Sequence, residues 1–211
     1  MKNKSYIGIT FILLIFGIWA VPKIINKISN PSLLKFEKVP DFSFINQHGN
    51  TISNQDFAGK VYVVEFFFAS CPTICPKMHK SLLKIQGEFY GNPNFGIASI
   101  TIDPKRDTSE RLKKYAEEHN ATLKNWHLLT GDIDTIYKLS NKGFKLYAGE
   151  NAEAEGGFEH SGLFALIDRD GYIRSRTVTV GENENPIKFY DGLDAKQVQM
   201  LKEDIAILLK E

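Results

Sequence analysis

Cys71 and Cys75 are the only cysteines in a chain of 211 residues, and they stand in the stretch FFFASCPTICPKM with three residues between them. A thioredoxin-type redox pair has two intervening residues, and a structural zinc site needs four ligands. Pro72 and Pro76 stiffen the turn, and Pro76 suits the first turn of a helix, where no backbone N–H is required. At i and i+4 near a helix N-terminus, both sulfurs face the same way if the helix begins early, and the helix dipole and free N–H groups favour their thiolates. Two chemistries are open to such a pair. It can close as a disulfide, within the strict geometry of a five-residue ring. It can equally present two soft sulfurs to one metal ion, for which Cu(I) is favoured and Cu(II) becomes accessible when an imidazole joins. The plain alternative, two buried cysteines acting as small apolar side chains, is opposed by their isolation, spacing and flanking prolines.

An imidazole has five possible sources. His79 is one turn beyond Cys75, so a column of two cysteines and one histidine is conceivable, although a ring inside the helix is expected to point outward. His48 falls at a hairpin tip. His119 ends an exposed helix, where an imidazolium is favourable without any function. His127, in NWHLLT, is expected to be half-buried beside Trp126. His160 stands in GGFEHSGLFALIDRDG, where a glycine-rich loop meets an apolar strand, a place that can approach the helix N-terminus across a sheet.

The elements that must position these residues follow from periodicity. GKVYVVEFFF is a continuous β-branched and aromatic run, as in a strand covered on both faces, and NFGIASITI is a second. Between them, residues 76–90 have helical spacing, with Met78, Leu82, Ile85 and Phe89 on one face. Strand, helix and strand in this order imply a right-handed crossover and a parallel pair. DFSFINQHGNTIS predicts a hairpin. DTSERLKKYAEEHN predicts a surface helix opened by Thr108 or Ser109 and closed at Asn120. DIDTIYKLSNKGF predicts another, ended by Gly143, and a hairpin turns around Asp170 and Gly171. The last helix places Val198, Leu201, Ile205 and Leu208 on one face. The sum is an α/β, thioredoxin-like plan: a mixed sheet flanked by helices, with the cysteines after its first central strand.

The N-terminus reads as a membrane segment. Lys2 and Lys4 precede YIGITFILLIFGIWAVP, and residues 7–21 carry no charge. That run is short of the ~20 residues a span requires. Continuing through Ile24 and Ile25 reaches the length if Lys23 snorkels to the interface, with Trp19 near one boundary. A cleaved signal peptide is the competing reading, since the apolar stretch is close to that length, but Ile18 two positions before Ala20 spoils a small-x-small cleavage site, and there is no lipobox cysteine. The expectation is a short cytoplasmic N-terminus over 1–5, a single transmembrane signal-anchor over 6–25, a tether over 26–35, and a folded domain over 36–211 on the exported, periplasmic or equivalent, side. Net charge is +1, but the five lysines of residues 1–35 leave 21 basic against 25 acidic residues in the rest, a poor footprint for nucleic acid. No nucleotide-binding loop and no protease constellation is present.

Three ordered motifs, covering the chain from about Val39 onward, resemble the Sco/SenC family of copper-binding, thioredoxin-like proteins. FFFASCPTICPKM resembles its strand followed by Cys-Pro-x-x-Cys-Pro, ITIDPKRDTSERLKKYA its Asp-Pro-x-x-Asp-Thr segment, and HSGLFALIDRDG its histidine-led strand. The resemblance implies copper held by Cys71, Cys75 and His160, the two cysteines as a redox couple able to form the Cys71–Cys75 disulfide, and a matching aspartate, Asp103. A turn-capping role for Asp103 before Pro104 is the alternative. It further implies assembly of the dinuclear copper centre of cytochrome c oxidase subunit II, or loading of another exported cuproprotein, by metal transfer without catalytic turnover. The threonine of the peroxiredoxin motif is missing from EFFFASCPTICP. A second class of function stays open: a thiol–disulfide oxidoreductase that reduces cysteines of an exported partner, chemistry for which His160 is dispensable. Finally, Glu150, Glu153, Glu155 and Glu159 precede His160 with no basic residue among them. They predict either a solvated loop or a negative potential that steers a basic partner or the ion, with Gly156 and Gly157 as a hinge.

Overall fold

The computed structural model describes residue 10 and residues 13–21, 33–151, 153, 156–180 and 183–211. The chain divides into two units, residues 1–32 and 33–211. In the first, residues 13–21 are helical, with Leu13, Leu14, Phe16, Ile18 and Trp19 exposed. Among the described residues no helix is long and apolar enough to cross a membrane. Both ends of the expected span over 6–25 lie outside the described residues.

The second unit is built on β4 (Val61–Phe67), all seven residues of which are buried. It pairs in parallel with β5 (Phe95–Thr101), also wholly buried, and β5 pairs in parallel with β6 (Trp126–Thr130). The crossover from β4 to β5 is α1 (Cys75–Phe89), which buries the expected stripe of Met78, Leu82, Ile85 and Phe89. Around this parallel centre the pairing is antiparallel. β9 (Leu163–Ile167) lies on the other side of β4, followed by β10 (Tyr172–Ser175) and β1 (Leu34–Lys38). β1 takes in Leu34 and Lys35, which the sequence assigns to the tether. At the opposite edge, β6 meets β2 (Ser43–Asn46), the first arm of the expected hairpin with β3 (Thr51–Ser53).

Alternation along β4 sends Phe67 to one face, against Tyr115 of α2 (Ser109–Glu118), and Phe66 to the other, against Phe144. Helices therefore cover both faces, as a buried parallel centre requires. Phe144 ends a π-helical turn, Leu139–Phe144, that continues α3 (Ile133–Lys138). Gly143 does not end this helix as expected. It lies inside the π turn, where a Cβ would come within 2.9 Å of Pro40, and the left-handed cap is Lys145. α2 is capped as read: the Thr108 hydroxyl accepts from the Arg111 N–H, and Asn120 is left-handed just beyond His119.

Two small ladders stand off the main sheet: β7 (Ala148–Glu150) with β8 (Phe158–His160), and β11 (Thr177–Val180) with β12 (Asn183–Pro186). Short β13 (Tyr190–Asp191) pairs with β9 ahead of the last helix, α4 (Ala195–Leu208).

Candidate metal centre

The cysteine turn begins where β4 ends, and an aspartate pins it. Asp107 is buried, and its Oδ2 accepts from the Ala69 N–H at 2.9 Å and from the Thr101 hydroxyl at 2.6 Å. Arg111 Nε lies 3.3 Å from its Oδ1. Burial raises the Asp107 pKa against these partners. The Cys71 N–H donates to the Phe68 carbonyl at 3.1 Å, closing the turn. α1 starts at Cys75 with Pro76 in its first turn, so Cys71 lies outside the helix. The two sulfurs therefore meet through the bend at residues 72–74 and not as one helical column.

His160 arrives from the far side. β8 carries it, paired through Ala148 of β7, so the segment expected to be a loop is a hairpin. The connection from β8 to β9 is tied to α1 in two steps: Gly192 N–H donates to the Gly162 carbonyl at 2.8 Å, and the Ser81 hydroxyl donates to the Gly192 carbonyl at 2.8 Å. The imidazole Nδ1–H donates to the Ser161 carbonyl at 3.0 Å. That bond fixes the tautomer and leaves the Nε2 lone pair directed at Cys75 Sγ, 3.1 Å away.

Cys71, Cys75 and His160 thus bring three ligand atoms within 4.8 Å of one another, all from buried residues. A cavity of about 250 Å³ opens on Cys71 and His160, walled also by Phe68, Thr73, Ile74, Phe158 and Glu159. Both cysteines are free. Their electrostatics are opposed. A hydrogen bond from Cys75 holds Cys71 far below the ordinary thiol range. The same interaction, with burial, pushes the Cys75 thiol up. Proton loss is accordingly favoured at Cys71, which lines the cavity, over Cys75 behind it. Two sulfurs and an imidazole with an open side match the donor set of a low-coordinate copper ion.

The remaining histidines lie elsewhere. His79 does not point outward. It is buried, stacked on Trp126, and its Nε2–H donates to the His119 carbonyl at 2.8 Å. His119 is the exposed C-cap of α2, His48 is exposed at the β2–β3 turn, and half-buried His127 meets Phe57 and Asn46. Asp103 is buried and is not among the three clustered ligand groups. Its carboxylate accepts from Arg106 Nε, and its carbonyl accepts from the Arg106 and Asp107 N–H groups, as a turn cap does. Lys105 lies 3.7 Å from Glu150, so the acidic hairpin faces basic side chains from outside its own sequence.

Two site neighbours carry signals the sequence offers only faintly. Asp107 is the second aspartate of the Asp-Pro-x-x-Asp-Thr segment. Glu65 is the one charge inside the apolar run of β4. Its Oε1 accepts from the Ser99 hydroxyl at 2.6 Å, which in turn accepts from Trp126 Nε1–H at 2.9 Å. Burial pushes the Glu65 carboxyl up to about 7, against the Ser99 hydrogen bond and the nearby His160.

A protein-family model described as SCO1/SenC matches residues 31–193. A SCO1 protein homolog of Bacillus subtilis (strain 168) is 32% identical over 142 residues, covering 66% of this chain and 72% of that protein. Among solved structures, BsSco, a member of the Sco family of cytochrome c oxidase assembly proteins with a disulfide switch, superposes with a TM-score of 0.68 at 26% identity, covering 86% of this chain and 98% of the other. The copper-bound ScoI of Arabidopsis thaliana superposes with a TM-score of 0.62 at 22% identity over 82% and 99% of the two chains, a likeness of fold.

Proposed function

This chain belongs to the SCO1/SenC family, and we propose that it is a membrane-anchored copper metallochaperone whose cargo is held by Cys71, Cys75 and His160. The observation that carries the reading is the convergence of Cys75 Sγ and His160 Nε2 beside Cys71 at the floor of an open cavity. Three ligands with one open side permit transfer by ligand exchange, because an incoming thiolate can bind before an outgoing one leaves; a closed four-ligand site holds its metal. Two thiolates suit Cu(I), and the imidazole extends the site to Cu(II). Closing the Cys71–Cys75 disulfide removes both sulfur ligands, so redox state gates loading. The recipient is an exported cuproprotein, with the copper domain of cytochrome c oxidase subunit II the first candidate. Residues 6–25 anchor the chain, residues 26–32 tether it, and the folded unit, residues 33–211, faces the exported side.

A second reading is favoured by the asymmetry of the pair. A cavity-facing Cys71 thiolate can attack a partner disulfide to form a mixed disulfide and expel one partner thiolate. Cys75 then resolves it, leaving the partner with two thiols and this chain with a disulfide. The two readings separate on His160. Copper-loaded full-length protein in detergent is mixed with the metal-free, reduced copper domain of subunit II, and separately with the oxidised domain. Metallochaperone action moves copper to the reduced domain, and His160→Ala slows it. Reduction of the oxidised domain at an unchanged rate in His160→Ala, with copper retained by the donor in the first mixture, would favour the oxidoreductase instead.

A further inference from the structure

The β7–β8 hairpin that carries His160 is a three-pair ladder outside the main sheet, and a ladder that small is marginal by itself. It is fastened at both ends. Near His160, the Asn141 side chain bonds both backbone groups of Ala148, each at 2.9 Å. At the far end the fastening is Arg106. Its Nε donates to buried Asp103, its Nη2 donates to the Gly156 carbonyl at 3.2 Å, and its guanidinium carbon lies 5.3 Å from the centre of the Phe158 ring. Phe158 packs on Phe68 at 5.3 Å, and Phe68 meets the His160 ring edge-on at 5.9 Å.

Gly156 allows this closure. Its φ of +89° is one that side-chain-bearing residues rarely adopt, and a Cβ there would come 2.9 Å from Phe68 and 3.2 Å from Pro72. The hairpin backbone therefore rests directly on the cysteine turn.

We infer that Arg106, held by Asp103, is a positioning residue that latches the β7–β8 hairpin against the cysteine turn and so keeps His160 on Cys75. Asp103 acts through Arg106 and not on the metal. The guanidinium suits this task because its planar fork serves a carboxylate and a carbonyl at once, which a lysine ammonium cannot reproduce. The inference rests on the reading of His160 as the third copper ligand, and its test is arranged so that each can fail separately.

The test uses full-length, reduced, metal-free protein in detergent, as wild type, Arg106→Ala, Arg106→Lys and Asp103→Asn. Hydrogen exchange of the Asn151 amide, which donates to the Gly157 carbonyl, and of the β7–β8 amides should accelerate about tenfold or more in Arg106→Ala, the loss expected of one charge-assisted bond. Exchange in β4 and β5 should not change. Arg106→Lys should restore the slow rate only in part, and Asp103→Asn should loosen the same amides. On adding Cu(II), Arg106→Ala should bind about tenfold more weakly and show a shifted thiolate-to-copper band, as loss of an outer-shell support does. Unchanged exchange in Arg106→Ala overturns the latch. So does faster exchange accompanied by a wild-type copper spectrum. A wild-type protein that takes up no copper refutes the copper reading alone, and the metal-free exchange rates still decide the latch.

Discussion

Cys75 Sγ and His160 Nε2 lie 3.1 Å apart although 85 residues separate them in sequence. The Nδ1–H bond to the Ser161 carbonyl turns the Nε2 lone pair toward Cys75 Sγ, whose thiol proton is shared with Cys71. A metal that takes both atoms must displace that proton. Cys71, whose pKa is held down by Cys75, has little proton left to give near pH 7. Copper binding to the reduced protein near pH 7 should therefore release about one proton and not two. Calorimetric titration in buffers of different ionisation enthalpy measures the count, and release of two would contradict the one-thiolate description.

The same asymmetry predicts reactivity. Cys71 borders the cavity, and its pKa is held down by Cys75. Its alkylation by iodoacetamide should stay fast at pH 6, where an ordinary thiol of pKa about 8.5 has lost most of its thiolate. Cys75 should react much more slowly. Peptide mapping after a timed pulse checks the order, and faster labelling of Cys75 would reverse the assignment.

Oxidation should abolish the site. Joining Cys71 to Cys75 leaves His160 as the only ligand of the three, so affinity should fall by orders of magnitude. Equal affinity of the reduced and oxidised forms in a competition titration would disconnect redox state from loading.

Glu65 gives the metal-free protein a pH dependence of definite sign. Its folded pKa, about 7, is above the unfolded value of 4.5, so its contribution to stability is complete below pH 4.5 and is lost as pH rises through 7. The loss approaches about 3 kcal/mol at 1.36 kcal/mol per unit. Glu65→Gln keeps an acceptor for Ser99 and removes the titration. The variant should unfold at a higher temperature than wild type at pH 8 and at a similar one at pH 4.5. Parallel pH profiles for the two proteins would show that folding does not raise the Glu65 pKa.

What could be read in the sequence were features set by local pattern. The apolar run of β4, the i, i+4, i+7, i+11 stripe of α1 and the glycine turn at Gly171 each have one physical solution, and the structure adopts it. The cysteine turn follows directly on β4, where the Ala69 N–H leaves the sheet for the Asp107 carboxylate. His160 was legible as the histidine at a junction of glycines and an apolar strand, but its distance to Cys75 was not, because that depends on β9 pairing with β4. Side-chain direction was least legible. His79 turns inward because Trp126 offers a ring to stack on and His119 a carbonyl, both brought by other elements. Lys105 and Arg106 meet the acidic hairpin only in three dimensions. Local composition therefore shows that hairpin as more negative than its surroundings make it.

The most direct test of the central claim is an anaerobic copper titration of the reduced full-length protein, by competition, on wild type, Cys71→Ser, Cys75→Ser, His160→Ala and His79→Ala. The account predicts one copper per chain in the wild type and loss of tight binding in either serine variant. It predicts weaker Cu(II) binding with an altered spectrum in His160→Ala, and no change in His79→Ala, whose ring is engaged with Trp126 and His119. A silent His160→Ala together with an impaired His79→Ala would contradict it, and would place the third ligand on α1.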